Sequence, residues 1–64
     1  MSDQPVRIVL ELPADQAWAI AQFVKRAGLS DYRVLAQSER EAYAMREAGD
    51  AIGEAFAAAG CAPR

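Results

Sequence analysis

This chain of 64 residues contains no histidine, one cysteine (Cys61) and no long apolar run. Zinc, iron and copper sites are built from clustered imidazole and thiolate ligands, so the composition argues against a metal centre. A lone cysteine cannot close a disulfide within the chain. A membrane-spanning helix needs about 20 apolar residues, and no signal-peptide hydrophobic region is present. We therefore expect a cytoplasmic protein without membrane contact.

The sequence also lacks the residue patterns that carry catalysis or bind cofactors. It has no glycine-rich phosphate loop, and no nucleophile can be paired with a histidine base because histidine is absent. We expect no catalytic residues, no cofactor and no enzymatic activity.

Proline and glycine are scarce, at 3 and 4 residues, whereas apolar residues make up 53% of the chain. This composition is too apolar for a disordered chain and predicts a single folded domain over residues 1–64. A chain of this size buries only about 60% of its unfolded surface, so its own core is marginal. Association of two copies would enlarge that core, and we expect a homodimer.

The formal net charge is −2 and the isoelectric point is near 4.9. Residues 1–37 carry four acids and four bases, whereas residues 38–64 carry five acids and three bases. The negative charge therefore belongs to the second half. Its sign is unfavourable for a protein that depends on phosphate contacts.

The segment after the polar N-terminus alternates with the period of a half-buried β-strand, which Pro13 ends. One predicted face carries Ile8, Leu10 and Leu12, and the other carries Arg7, Val9 and Glu11. No second strand follows. We expect an α+β fold with one N-terminal strand followed by three helices, in which the strand pairs with the same strand of a second copy.

The apolar residues after Pro13 recur at helical spacing. The first predicted helix runs from Ala14 to Ala27 and ends before Gly28, which we expect to adopt positive φ. Its predicted apolar stripe consists of Ala17, Ile20, Phe23, Val24 and Ala27. Ser30 is the predicted cap of a short second helix that runs to Leu35.

Ser38 and Glu41 have the spacing of a capping box, which predicts the start of a third and longest helix that ends at Gly60. Gly49 and Gly53 interrupt this helix, and each costs about 1 kcal/mol relative to alanine. We expect another helix to pack closely against that backbone. The predicted apolar stripe is Met45, Ala48, Ile52, Ala55, Phe56 and Ala59.

Residues 7–35 resemble the ribbon-helix-helix family of dimeric regulators and antitoxins. The matching elements are the strand that ends in Leu12-Pro13, the helix face Ile20/Phe23/Val24, the exit Lys25-Arg26-Ala27-Gly28, and Leu29-Ser30 at the next helix. The resemblance implies an antiparallel ribbon whose outward residues enter the DNA major groove. Those residues would be Arg7, Val9 and Glu11. The capping box at Ser38 departs from the family, whose second helix should continue through it.

The second half is similar to small uncharacterised proteins of bacteria and their mobile elements. This similarity lies in residues 41–46 and in the Gly60-Cys61-Ala62-Pro63-Arg64 ending. It implies no activity.

Two features are candidates for contact with a partner protein. An acidic row on the third helix consists of Tyr43, Glu47, Asp50 and Glu54, and Trp18 lies outside the apolar stripe of the first helix. Exposed tryptophans are frequent interface anchors, and an acidic row fits a basic groove. The alternative interpretations are a solvated helix face for the row and packing against the third helix for Trp18.

These features predict a non-enzymatic interaction module whose acidic helical surface binds or inhibits a protein partner. The analogous class, by size and charge, is the phage-borne inhibitors of CRISPR and restriction complexes. The alternative is a ribbon-helix-helix DNA-binding repressor or antitoxin.

Overall fold

The computed structural model describes residues 4–62. Within this range the chain forms three helices, α1 (Ala14–Arg26), α2 (Leu29–Leu35) and α3 (Glu39–Ala58), and no β-strand. The fold is therefore all-α, and the predicted α+β class with a strand paired across a homodimer is wrong. Residues 5–12, which contain the alternating pattern, make no backbone hydrogen bond. A strand is defined by ladder pairing, and the described chain offers this segment no second strand.

Local signals set the ends of the longest helix. The Ser38 hydroxyl accepts a hydrogen bond from the Glu41 amide at 3.1 Å, which satisfies one of the free donors at the start of α3. At the other end the Cys61 amide donates to the Phe56 carbonyl and the Gly60 amide donates to the Ala57 carbonyl. This is a Schellman motif, and it places Gly60 at φ +96°. The predicted Ser38 cap and Gly60 terminator are both confirmed, and of the predicted capping box the structure shows the Ser38 half.

The start of α2 differs from the prediction. Gly28, not Ser30, is the N-cap residue, and its amide donates to the Asp31 carboxylate at 2.8 Å. Gly28 has φ −109°, so it does not adopt the predicted positive φ. The α1 helix ends at Arg26, and Ala27 is its C-cap residue, whose amide donates to the Phe23 carbonyl.

The helix α3 packs against both α1 and α2, and its most buried residues are Ala42 and Gly49. The fully or nearly fully buried apolar residues of the described chain are Ala21 and Ala42. Gly49 is also buried because the Tyr32 ring of α2 lies directly over it, and Val24 of α1 lies 3.5 Å from a Cβ placed on Gly53. The predicted close approach to the two glycines is confirmed as a contact within the chain.

The molecule is thin for its length. Its extents are 33 × 27 × 16 Å and its radius of gyration is 12.7 Å, compared with about 11 Å for a compact chain of 64 residues. A helix with its side chains is about 10–12 Å across, so a thickness of 16 Å does not enclose large side chains on all sides. The core is consequently made of alanine and glycine.

Candidate interaction surfaces

The acidic row is exposed on α3. Spacings of four, three and four residues place its members in one sector of the helix surface, and each of them is exposed. The ion pair among the described residues joins Arg33 to Glu39, and no carboxylate of the row takes part in it. The row therefore presents three carboxylates, Glu47, Asp50 and Glu54, to solvent.

Two members of the row border a shallow groove between α1 and α3. Asp50 and Glu54 line this groove of about 550 Å³ together with Lys25, over a floor of small and apolar residues. The floor and the far end are formed by Ala21, Val24, Ala27, Gly49, Gly53, Ala57, Cys61 and Ala62. Among the described lining residues, two carboxylates and one ammonium give the groove an acidic balance. An aliphatic stem with a cationic head fits such a groove.

The first member of the row, Tyr43, lies close to a bidentate ion pair that joins α2 to α3. The Glu39 carboxylate accepts from Arg33 Nε at 2.8 Å and from Nη2 at 3.0 Å. This hydrogen bonding, followed by the charge of Glu39, raises the pKa of Arg33, and Tyr43 adds a smaller effect in the same direction. Both partners are exposed to solvent, so the pair contributes little to stability.

Trp18 does not join the acidic row in the structure. It lies on α1, is 43% exposed, and is not among the residues that line the groove. The neighbouring turn of α1 carries the buried Ala21, so Trp18 borders the packed face. The structure places Trp18 and the acidic row as two separate candidate contacts.

The residues predicted to read DNA lie in the N-terminal segment, residues 5–13. Arg7, Val9 and Glu11 are all exposed. They are not presented by a ribbon, because residues 4–62 contain no strand. The described residues therefore offer no ribbon that could place these side chains in the major groove, and the predicted ribbon-helix-helix fold is wrong.

Sequence reasoning missed an exposed apolar face on α3. The outer face of α3 consists of the half-buried Met45 and the exposed Ala48, Ile52, Ala55 and Ala59. These residues were predicted to be core, yet Ile52 is 44% exposed. Ile20 and Phe23 of the predicted α1 stripe are exposed as well. Gly49 and Gly53 could have indicated from the sequence which face of α3 is buried, because a helix packs most closely against its neighbours at glycine positions.

Neither a metal centre nor a membrane span is found in the part of the chain that the structure describes. No group of three or more histidine, cysteine, aspartate or glutamate side chains within residues 4–62 is placed to hold a metal ion. None of the three helices is both long enough and apolar enough to cross a bilayer.

These features define a small helical protein with an acidic surface and an exposed apolar surface on its longest helix. The chain belongs to the family of unknown function DUF7706, whose model matches residues 1–64. No curated protein and no solved structure matches it. The match supports the coarse similarity to proteins of unknown function, and it gives no support to the ribbon-helix-helix resemblance of residues 7–35.

Proposed function

We propose that this protein is a non-enzymatic interaction module that binds a basic protein surface through the acidic row of α3. The observation that carries the proposal is the exposure of Glu47, Asp50 and Glu54 in one sector of the helix, without an ion-pair partner among residues 4–62. Such a surface steers a positively charged partner and raises its association rate.

The groove beside the row supports a particular chemistry for the contact. Asp50 and Glu54 border a depression with an alanine and glycine floor, so a lysine or arginine of the partner would place its stem on the floor and its charge between the carboxylates. Proteins that handle nucleic acids present many such side chains. We propose a partner of that class, and inhibition by occupation of its basic groove.

The experiment is affinity capture from a lysate of the organism that encodes the chain, with and without nuclease treatment. Replacement of Glu47, Asp50 and Glu54 by lysine should abolish capture of the basic partner, whereas nuclease treatment should not affect it. The variant Glu11→Lys/Asp15→Lys is the control, because both residues are exposed and lie outside the row.

Capture that is equal for the wild type and the triple variant would show that the row is only a solvated surface. Capture that is lost on nuclease treatment would show that nucleic acid, and not a protein, bridges the complex.

We also propose that the protein assembles as a homodimer. The observation that supports this proposal is the large solvent-accessible surface area of the chain. The chain exposes 5555 Å², whereas a compact monomer of 6.9 kDa exposes about 4,000 Å². Much of this excess comes from the N-terminal segment, in which Val6, Ile8, Val9 and Leu10 are 67–85% exposed. One partner of a standard interface contributes about 800 Å².

A further inference from the structure

We propose that two copies of this chain exchange their N-terminal segments, so that residues 6–10 of each copy lie in the groove between α1 and α3 of the other. This inference rests on the proposed homodimer and specifies its interface. It also gives the groove a second occupant, so dimerisation competes with binding of the proposed basic partner.

The N-terminal segment carries apolar side chains that its own chain leaves uncovered. Val6, Ile8, Val9 and Leu10 are 67–85% exposed, and none of residues 5–13 lines the groove. The segment enters α1 through Pro13, whose φ of −53° and ψ of 149° are extended. Exposed apolar surface of this size is unfavourable in water, and a second copy can cover it.

The length of the segment fits the groove. The helix α3 lines the groove from Gly49 to Ala57, which is about 12 Å at about 1.5 Å per residue. An extended chain from Val6 to Leu10 spans about 13 Å at about 3.3 Å per residue. Ile8 and Leu10 lie on the same face of an extended segment, so both can point to the floor of small residues.

The charges of the segment complement those of the groove. Asp50 and Glu54 border the groove on α3, and Arg7 supplies the aliphatic stem and cationic head that suit them. The segment also carries Glu11, for which Lys25 of α1 is a lining residue of opposite charge. One chain therefore carries both halves of a matched contact, which favours a second copy over an unrelated occupant.

A reciprocal exchange buries enough surface for a specific dimer. An unfolded residue exposes about 160 Å², so the four apolar residues of the segment present about 500 Å² at their observed exposure. If half of this area is buried and a similar area of the groove is covered, the two contacts bury about 1,000 Å² in total, which specific interfaces reach. Each copy gives one segment and receives one, so the contact closes about a twofold axis.

The test is the mass of the full chain in solution, by sedimentation equilibrium across micromolar concentrations. We expect the wild type at twice the 6.9 kDa chain mass. Arg7→Glu should weaken the dimer at least tenfold, because it places a carboxylate beside Asp50 and Glu54. The triple variant Arg7→Glu/Asp50→Arg/Glu54→Arg should restore the dimer, because it reverses both sides of the contact.

Arg40→Glu is the control, because it makes the same change of charge at an exposed residue that does not line the groove. Circular dichroism should show equal helix content in all of these proteins. A dimer that Arg7→Glu leaves intact, that Arg40→Glu weakens equally, or that the triple variant does not restore would overturn the groove contact and leave the homodimer standing. A wild type that remains monomeric would overturn both. None of these outcomes bears on capture of a basic partner.

Cross-linking to the native thiol provides a second measurement. Cys61 lines the groove, so oxidation should link it to the exchanged segment of the second copy in one of the variants Val6→Cys and Leu10→Cys, which mark the two ends of residues 6–10. Val34→Cys is the control, since Val34 is 82% exposed on α2 and outside the groove.

The position of the cross-link separates the alternatives. Adding Cys61→Ser should abolish the link between chains. A link that persists without Cys61 would place the two segments against each other and contradict the groove contact. A disulfide within one chain would show that the segment occupies its own groove, and absence of a link in both variants would also contradict the exchange.

Discussion

The Tyr32 hydroxyl lies where a side chain at Gly49 would begin. A Cβ placed on Gly49 would overlap the hydroxyl oxygen of Tyr32 and would lie 3.2 Å from its Cζ. Glycine in a helix costs about 1 kcal/mol relative to alanine, so this position gives up helix stability to let the Tyr32 ring pack on the backbone of α3. The contact joins α2 to the middle of α3.

Gly49→Ala should destabilise the protein despite its better helix propensity. Overpacking costs about 1–3 kcal/mol and the propensity gain is about 1 kcal/mol, so we expect a net loss of about 1 kcal/mol in the free energy of unfolding. Urea denaturation followed by circular dichroism measures it. Removal of the hydroxyl by Tyr32→Phe should reduce the loss, and an equal loss in both backgrounds would exclude the hydroxyl as its cause.

Gly53→Ala should have the opposite sign. A Cβ at Gly53 meets Val24 Cγ1 at 3.5 Å, which is an ordinary contact distance. The substitution therefore keeps the packing and gains helix propensity, and we expect stabilisation of up to about 1 kcal/mol in the same urea assay. Destabilisation would show that α1 lies closer to α3 than the structure places it.

Gly60→Ala should destabilise the end of α3. Gly60 has φ +96°, a left-handed conformation that costs a residue with a Cβ about 1–2 kcal/mol. Thermal unfolding should show a lower midpoint for this variant. Gly28→Ala is the comparison at a glycine of negative φ (−109°), where a Cβ would lie at an ordinary contact distance of 3.8 Å from Asp31 Oδ2, so it should shift the midpoint less than Gly60→Ala. Equal shifts in the two variants would contradict the role of the backbone conformation.

Ser38→Ala should weaken the start of α3. The Ser38 hydroxyl accepts from the Glu41 amide, and loss of such a cap costs about 1 kcal/mol. Ser38→Asp should retain the stability, since aspartate also caps helix starts. Hydrogen exchange of the first-turn amides of α3 measures the effect locally, and unchanged protection in Ser38→Ala would contradict it.

Leu10→Asp should leave the folding of the three helices unchanged. Leu10 is 67% exposed in the N-terminal segment and precedes α1. Exposed positions typically change stability by less than about 0.5 kcal/mol. The helix content and the urea midpoint of this variant should therefore match those of the wild type. Loss of helix content on this substitution would show that the segment is part of the folded core.

The sequence by itself determined where the helices begin and end. Pro13 precedes α1, Ser38 caps α3, and Gly60 terminates it, and each of these signals acts within one turn of backbone. Helix ends are local events, because a cap satisfies donors or acceptors only a few residues away. The predicted bounds consequently agree with the observed ones to within one or two residues.

Only the tertiary structure decided which helix faces are buried and that no strand forms. Periodicity predicted Ile20 and Ile52 as core, whereas the folded chain leaves both exposed and buries Ala21 and Ala42. The alternation of residues 7–12 predicted a strand, but a strand exists only where another backbone completes its ladder. Both outcomes depend on groups distant in the chain, which a local pattern does not contain.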